Sequence, residues 1–223
     1  MALLQDLGLC EHSPRIYNTP MEPRGHRQRA IEVARAQGIA RGSDFDAAGV
    51  PRMYLKRLTE DGVLLQVGRG LYRLADSPSD AASSLAEAVR IQPRGVIGLL
   101  SALQYHDLTT QTPHAVWMLL GPKDWAPTSA PVQIRVIRAS GRALREGVER
   151  HEIDQVPVPI TSPAKTVVDC FKYRNKIGLD VAVEGLRDLM RRPDRRPAID
   201  ELWRFAEIDR VQTVMRPYLE ALT

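Results

Sequence analysis

Within residues 49–74, "GVPRMYLKRLTEDGVLLQVGRGLYRL", the spacing of apolar residues changes from helical to strand-like, and few folds accommodate the change. Leu55 and Leu58 stand three apart, a spacing that puts both on one face of a helix. Arg52 and Lys56 stand four apart and fall on another face, with Arg57 beside them. Pro51 suits the first turn, where its missing N–H has no partner to lose. Gly62 closes the helix, and "VLLQV" and "LYRL" then read as two strands around the turn "GRG".

Two further helices are predicted upstream. "HRQRAIEVARAQG" (26–38) carries Ala30, Ile31, Val33 and Ala34, with Gly38 as its stop. In "GSDFDAAGV" Ser43 is the candidate N-cap, Asp46 follows three residues later, and Gly49 ends a helix of little more than one turn. Three helices and a hairpin in about fifty residues have the layout of a winged helix-turn-helix, predicted over 25–76. Residues 1–24 hold three prolines in "SPRIYNTPMEPR", which forbid a continuous helix and predict a tail or arm.

Charge sharpens this reading. The whole chain of 223 residues has a formal charge of +4, and from Arg24 to Asp76 there are ten Arg or Lys against six Asp or Glu. The basic excess therefore lies with the three helices and the hairpin. A helix of this kind enters the major groove of B-DNA while a hairpin tip reaches the backbone or the neighbouring minor groove. Arg52 and Tyr54, near the helix start, are placed to meet base edges; Lys56 and Arg57 are placed for phosphates. Arg69, alone between two glycines, is the natural tip group, Arg73 follows on the second strand, and Ser43 with the N–H groups after it offers a phosphate site. Against this, surface helices commonly carry solvated Arg and Lys, and a winged helix also serves as a protein-docking module.

"DSPSDAASS" marks a boundary, with residues 77–83 as linker. Residues 84–223 are expected to form a mixed α+β domain with a helical end. Helical stretches fall at 84–91 and 96–106, and "HAVWMLL" and "VQIRVI" read as strands. "DQVPVPI" reads as a third strand, whose prolines predict a sheet edge or a strand end. Ser162 caps and Pro163 opens a helix in "SPAKTVVDCFKYRNK", "GLDVAVEGLRDLMRR" has helical spacing, and two helices fill 198–221. The fold class is therefore α+β.

Catalytic and metal chemistry find little support. Cys10 and Cys170 are far apart and form no CxxC pair, which argues against a zinc site and fits a reducing compartment. There is no Gly-Lys pair for a P-loop and no GxSxG elbow. No Asp or Glu stands two residues before a Lys, as many nuclease cores require. His106 and His114 lack further ligands, Cys170 reads as a buried hydrophobe, and Trp117 and Met118 read as core. The expectation is a chain that is not an enzyme, with no cofactor and no metal. The opening residues make a poor signal peptide and no apolar run is long enough to span a bilayer, so a soluble, cytoplasmic protein is expected.

Taken together, "FDAAGVPRMYLKRLTEDGVLLQVGRGLYRL", "LLSALQYHDLTTQTPHAVWMLL" and "VPVPITSPAKTVVDCFKYRNKIGLDVAVEGL" resemble, in that order, the AbiEi-type antitoxins of AbiE phage abortive-infection systems. The resemblance runs from about Ile31 to Met190. One departure is Lys165, at a position where the family often carries a Glu that completes a capping box with Ser162. The resemblance implies a type IV antitoxin whose winged helix binds inverted repeats in its own operon's promoter and represses it. It also implies that the C-terminal domain counteracts a neighbouring nucleotidyltransferase-like toxin, without a stable complex being required. Specificity from one small module would call for two copies on the repeat, by dimerisation or adjacent binding. The competing reading is a protein-interaction module that neutralises a toxin through its C-terminal domain while the winged helix docks.

Overall fold

A computed structural model describes residues 25–77, 81–127, 130–193 and 195–222. The expected arm at 1–24 and the middle of the expected linker lie outside these residues.

The N-terminal unit runs α1 (His26–Gln37), β1 (Ala40–Arg41), α2 (Gly42–Ala47), α3 (Arg52–Glu60), β2 (Leu64–Gly68) and β3 (Leu71–Leu74). The helices bury Ala30 and Ala34 of α1, Phe45 of α2, and Leu55 and Leu58 of α3 around Val50, Leu64 and Leu74. Small residues on α1 let the other helices approach closely. The three strands pair antiparallel in the order β1-β3-β2, with a bulge between Gln66 and Gly68 that leads into the Arg69–Gly70 turn.

The chain continues through α4 (Ala81–Ile91), β4 (Val96–Ile97), α5 (Leu99–Tyr105), β5 (Val116–Leu120), β6 (Ile134–Arg138) and α6 (Arg142–Arg145). Then follow β7 (Val148–Ile153), β8 (Val156–Thr161), α7 (Pro163–Lys172), α8 (Arg174–Ile177), α9 (Leu179–Met190), α10 (Arg195–Asp209) and α11 (Gln212–Glu220). The five strands form one mixed sheet in the order β6-β5-β4-β8-β7. The unbroken apolar run of β5 reflects cover on both faces. Trp117 and Leu119 point into the cluster built by α5, α7, α9, α10 and α11. Met118, Val116 and Leu120 point the other way, toward α4.

That second cluster joins the two halves of the molecule. Ile39, Val67 and Leu71 from the N-terminal unit pack with Leu85 and Val89 of α4 and with Val158 and Ile160 of β8. Gly38, at φ +62°, lies against the β7–β8 turn so closely that a Cβ there would overlap the Asp154 carbonyl. Gln155 Nε2, in the same turn, donates to the Arg35 carbonyl at 2.8 Å.

Several local expectations differ from the structure, among them residues 96–97, expected to be helical, which form β4. Helix α4 begins at Ala81, so 81–83 are helical rather than linker. Strand β8 is interior, not an edge, despite Pro157 and Pro159. Its neighbour β4 pairs with it only at Ile160, so that side of β8 has no strand opposite the two prolines, which cannot donate. The edge on that side is β7, whose charged "VERHEI" hid the strand in the sequence; such charge is how exposed edges are protected. Among the described residues no helix is long and apolar enough to cross a membrane.

Candidate nucleic-acid interface

On α3, burial of Leu55 and Leu58 turns the opposite side outward, and Arg52, Met53, Lys56 and Arg57 are all exposed there. Arg52 donates from Nε and Nη2 to Oδ2 of Asp46 at 3.0 and 2.9 Å. This hydrogen bond and the Asp46 charge raise the guanidinium pKa above its ordinary value. The Arg52 side chain remains 75% exposed, and a pair so open to water is easily exchanged for a phosphate or a base edge. Lys56 lies 3.8 Å from Glu60 one turn on, also in open solvent. Neither Arg57 nor Arg69 has an ion-pair partner among the described residues.

Arg69 is exposed at the hairpin tip, where Gly70 takes φ +69°. The tip is fastened, because the Gly42 N–H donates to the Gly70 carbonyl at 2.9 Å. That bond brings Ser43 near the hairpin, and Ser43 is exposed. Ser43 does not cap α2, which begins at Gly42. Asp44 serves instead, its Oδ2 accepting from the Arg41 N–H at 2.7 Å.

Two of the sequence-derived residues are placed otherwise. Tyr54 is half-buried, with its ring 4.6 Å from that of His26 at the start of α1. Arg73 faces away from the α3 surface. Its Nε is 3.5 Å from Glu87 of α4, and both side chains are about one-tenth exposed, at 12% and 11%. The reason is strand alternation: Arg73 shares a face of β3 with Leu71, which packs against α4.

Ser43, Arg52 and Arg69 converge on a cleft of about 780 Å³ between α2, α3, the hairpin tip and the far end of α4. Arg41, Arg90 and Trp125 complete its walls. None of these three was legible as a site residue, since each comes from a separate segment. Met53, 77% exposed beside Arg52, was also missed, although its helical position alone places it on the outer face.

Elsewhere, His106 Nε2 lies 2.7 Å from the Thr161 carbonyl, and burial lowers the imidazole pKa. Cys170 is buried, which pushes its thiol well above the ordinary value, the opposite of an activated nucleophile. Among the described residues no group of three or more His, Cys, Asp or Glu is disposed to hold a metal.

The fold is similar to the crystal structure of RV2827C protein from Mycobacterium tuberculosis. The TM-score is 0.63 over 88% of this chain and 77% of that chain, at 15% sequence identity. No curated protein matches the chain. Residues 28–75, from the first turn of α1 to the end of the hairpin, match the family model described as transcriptional regulator, AbiEi antitoxin.

Proposed function

We propose that this protein is a winged-helix DNA-binding antitoxin that represses its own operon and opposes a nucleotidyltransferase-like toxin. The observation that carries the DNA-binding part is the exposed row Arg52, Met53, Lys56 and Arg57 on α3, next to the fastened, exposed Arg69. In this reading α3 enters the major groove. Arg52 exchanges Asp46 for a guanine edge, and Met53 offers an apolar surface to a thymine methyl. Lys56, Arg57 and Arg69 neutralise phosphates, the last from the wing. Two copies on an inverted repeat supply the specificity that one module lacks. The antitoxin part rests on the family match over residues 28–75 and on the resemblance of the segments that follow.

Binding of the full chain to its promoter duplex over a range of salt tests the first part. Lys56→Ala is expected to weaken all sequences alike and to lower the salt slope by about one phosphate contact. Arg52→Ala is expected to cost about 1–3 kcal/mol, mainly on the cognate sequence. An unchanged slope for Lys56→Ala, or no duplex binding at all, overturns it. Co-expression with the product of the adjacent reading frame tests the second part: rescue of growth supports it, and no rescue by a chain that still binds the promoter overturns it.

A further inference from the structure

The cleft beside α3 has a composition that duplex recognition does not require. Four arginines, Arg41, Arg52, Arg69 and Arg90, line it, and no Asp or Glu side chain is among its described lining residues. Two carboxylates stand nearby: Asp46 engages Arg52, and Asp44 is held by the Arg41 N–H. Arg41 Nη2 donates to the Arg90 carbonyl at 3.2 Å, which places the two guanidinium-bearing residues side by side. Arg90 Nη2 in turn reaches the Gln37 carbonyl at 3.4 Å, while its Nε is buried with no hydrogen-bond partner. Burial, and then the nearby Arg41 charge, lower the Arg90 pKa, the mark of a cation short of counter-charge. An anion in the cleft would supply the counter-charge that Arg90 lacks.

The cleft is also lined by Trp125, 62% exposed. An exposed tryptophan on a loose loop would mean little, but this loop is tied at several points. Arg138 Nη1 donates to the carbonyls of Gly121 and Asp124 at 2.6 and 2.7 Å. Arg94 holds the Asp124 carboxylate at 2.8 Å, the Gly121 N–H donates to it at 3.0 Å, and Gln92 Nε2 donates to the Trp125 carbonyl. The backbone is thus anchored while the indole is left in water, an arrangement suited to stacking on a planar ring.

We propose that this cleft binds a nucleoside phosphate, with the phosphate held by Arg41, Arg90 and Arg69 and the base stacked on Trp125. A volume of about 780 Å³ lies within the range of small-ligand and cofactor pockets. The same chemistry is offered by a free nucleotide and by the phosphorylated end of a nucleic-acid strand. The inference does not depend on duplex binding by α3, and its test contains no duplex.

The test is titration of the full chain with ATP and with inorganic pyrophosphate, followed by calorimetry and tryptophan fluorescence. Wild type is expected to bind both, with fluorescence quenched by ATP only. Trp125→Leu is expected to abolish the quench and weaken ATP about tenfold, the size of one base–aromatic stack, with pyrophosphate unchanged. Arg90→Gln is expected to weaken both ligands. Failure of wild type to bind ATP, or equal ATP affinity in wild type and Trp125→Leu, overturns the proposal even if Arg90→Gln does not fold. A 5′-phosphorylated dinucleotide that binds more tightly than ATP assigns the cleft to strand ends, and the reverse order assigns it to free nucleotides; both support the site.

Discussion

Arg73 of β3 and Glu87 of α4 form an ion pair at 3.5 Å, about nine-tenths shielded from solvent, across the seam between the N-terminal unit and the rest of the chain. Burial raises the Glu87 pKa even with Arg73 opposing it, so the carboxylate depends on that partner to stay charged. Arg73→Met is therefore expected to cost about 2–3 kcal/mol in urea denaturation. Its duplex salt slope is expected to match wild type, because the side chain does not reach the α3 face. A lowered slope with unchanged stability would return Arg73 to the DNA-contacting set.

Lys165 is the second place where a charge turned inward. It is fully buried on α7, capped at its N–H by Ser162 Oγ at 3.4 Å. Its ammonium donates to Asp169 Oδ1 and, at 2.9 Å, to Asp209 Oδ2, whose other oxygen takes Lys172 at 2.7 Å. Burial pulls the Lys165 pKa down, but the two aspartates outweigh it and hold the pKa above its ordinary value. Lys165→Met leaves Asp169 buried without its cation and is expected to cost about 3–5 kcal/mol. Lys165→Glu would set a third carboxylate against two and is expected to abolish the cooperative thermal transition. A stable Lys165→Glu protein would show that the network is dispensable.

Asp169 makes the stability of this network pH-dependent. Burial, partly opposed by Lys165, raises its pKa to about 7, and its Oδ2 is buried without a partner. In the unfolded chain the pKa is about 3.9, so the folded state holds the proton more tightly. The contribution is complete below about pH 4 and is lost as pH rises through about 7. Burial also pushes Asp209 up, but Lys165 and Lys172 outweigh it and hold it below the ordinary value, so its own contribution is lost only at acid pH. Asp169→Asn removes the first effect and also takes one counter-charge from Lys165. Unfolding free energies at a series of pH values are expected to show the variant gaining on wild type between about pH 4 and pH 7, with no further gain above that. A constant difference across that range would place the Asp169 pKa near its ordinary value.

Met53 separates folding from recognition. At 77% exposure, its replacement by Ala is expected to change stability by less than about 0.5 kcal/mol. Loss of an apolar groove contact should weaken the cognate duplex several-fold with no change in salt slope, since no charge is removed. Equal affinity for wild type and Met53→Ala would place α3 differently in the groove.

The change of apolar period within 49–74 already contained α3 and the two strands of the hairpin, because both are local: Leu55 and Leu58 choose a helix face, and glycines permit the turn. Outward placement of Arg52, Lys56 and Arg57 follows from the same spacing. What a local pattern cannot contain is which face of a strand or helix meets a distant segment. Period-two alternation put Arg73 and Leu71 on one side of β3, but only packing against α4 made that side an interior. Lys165 looked like a flaw in a helix cap until Asp209, 44 residues away, came into contact with it. The cleft assembles Arg41, Arg90 and Trp125 from three segments with no common motif, because what unites them is proximity across an apolar seam rather than spacing along the chain.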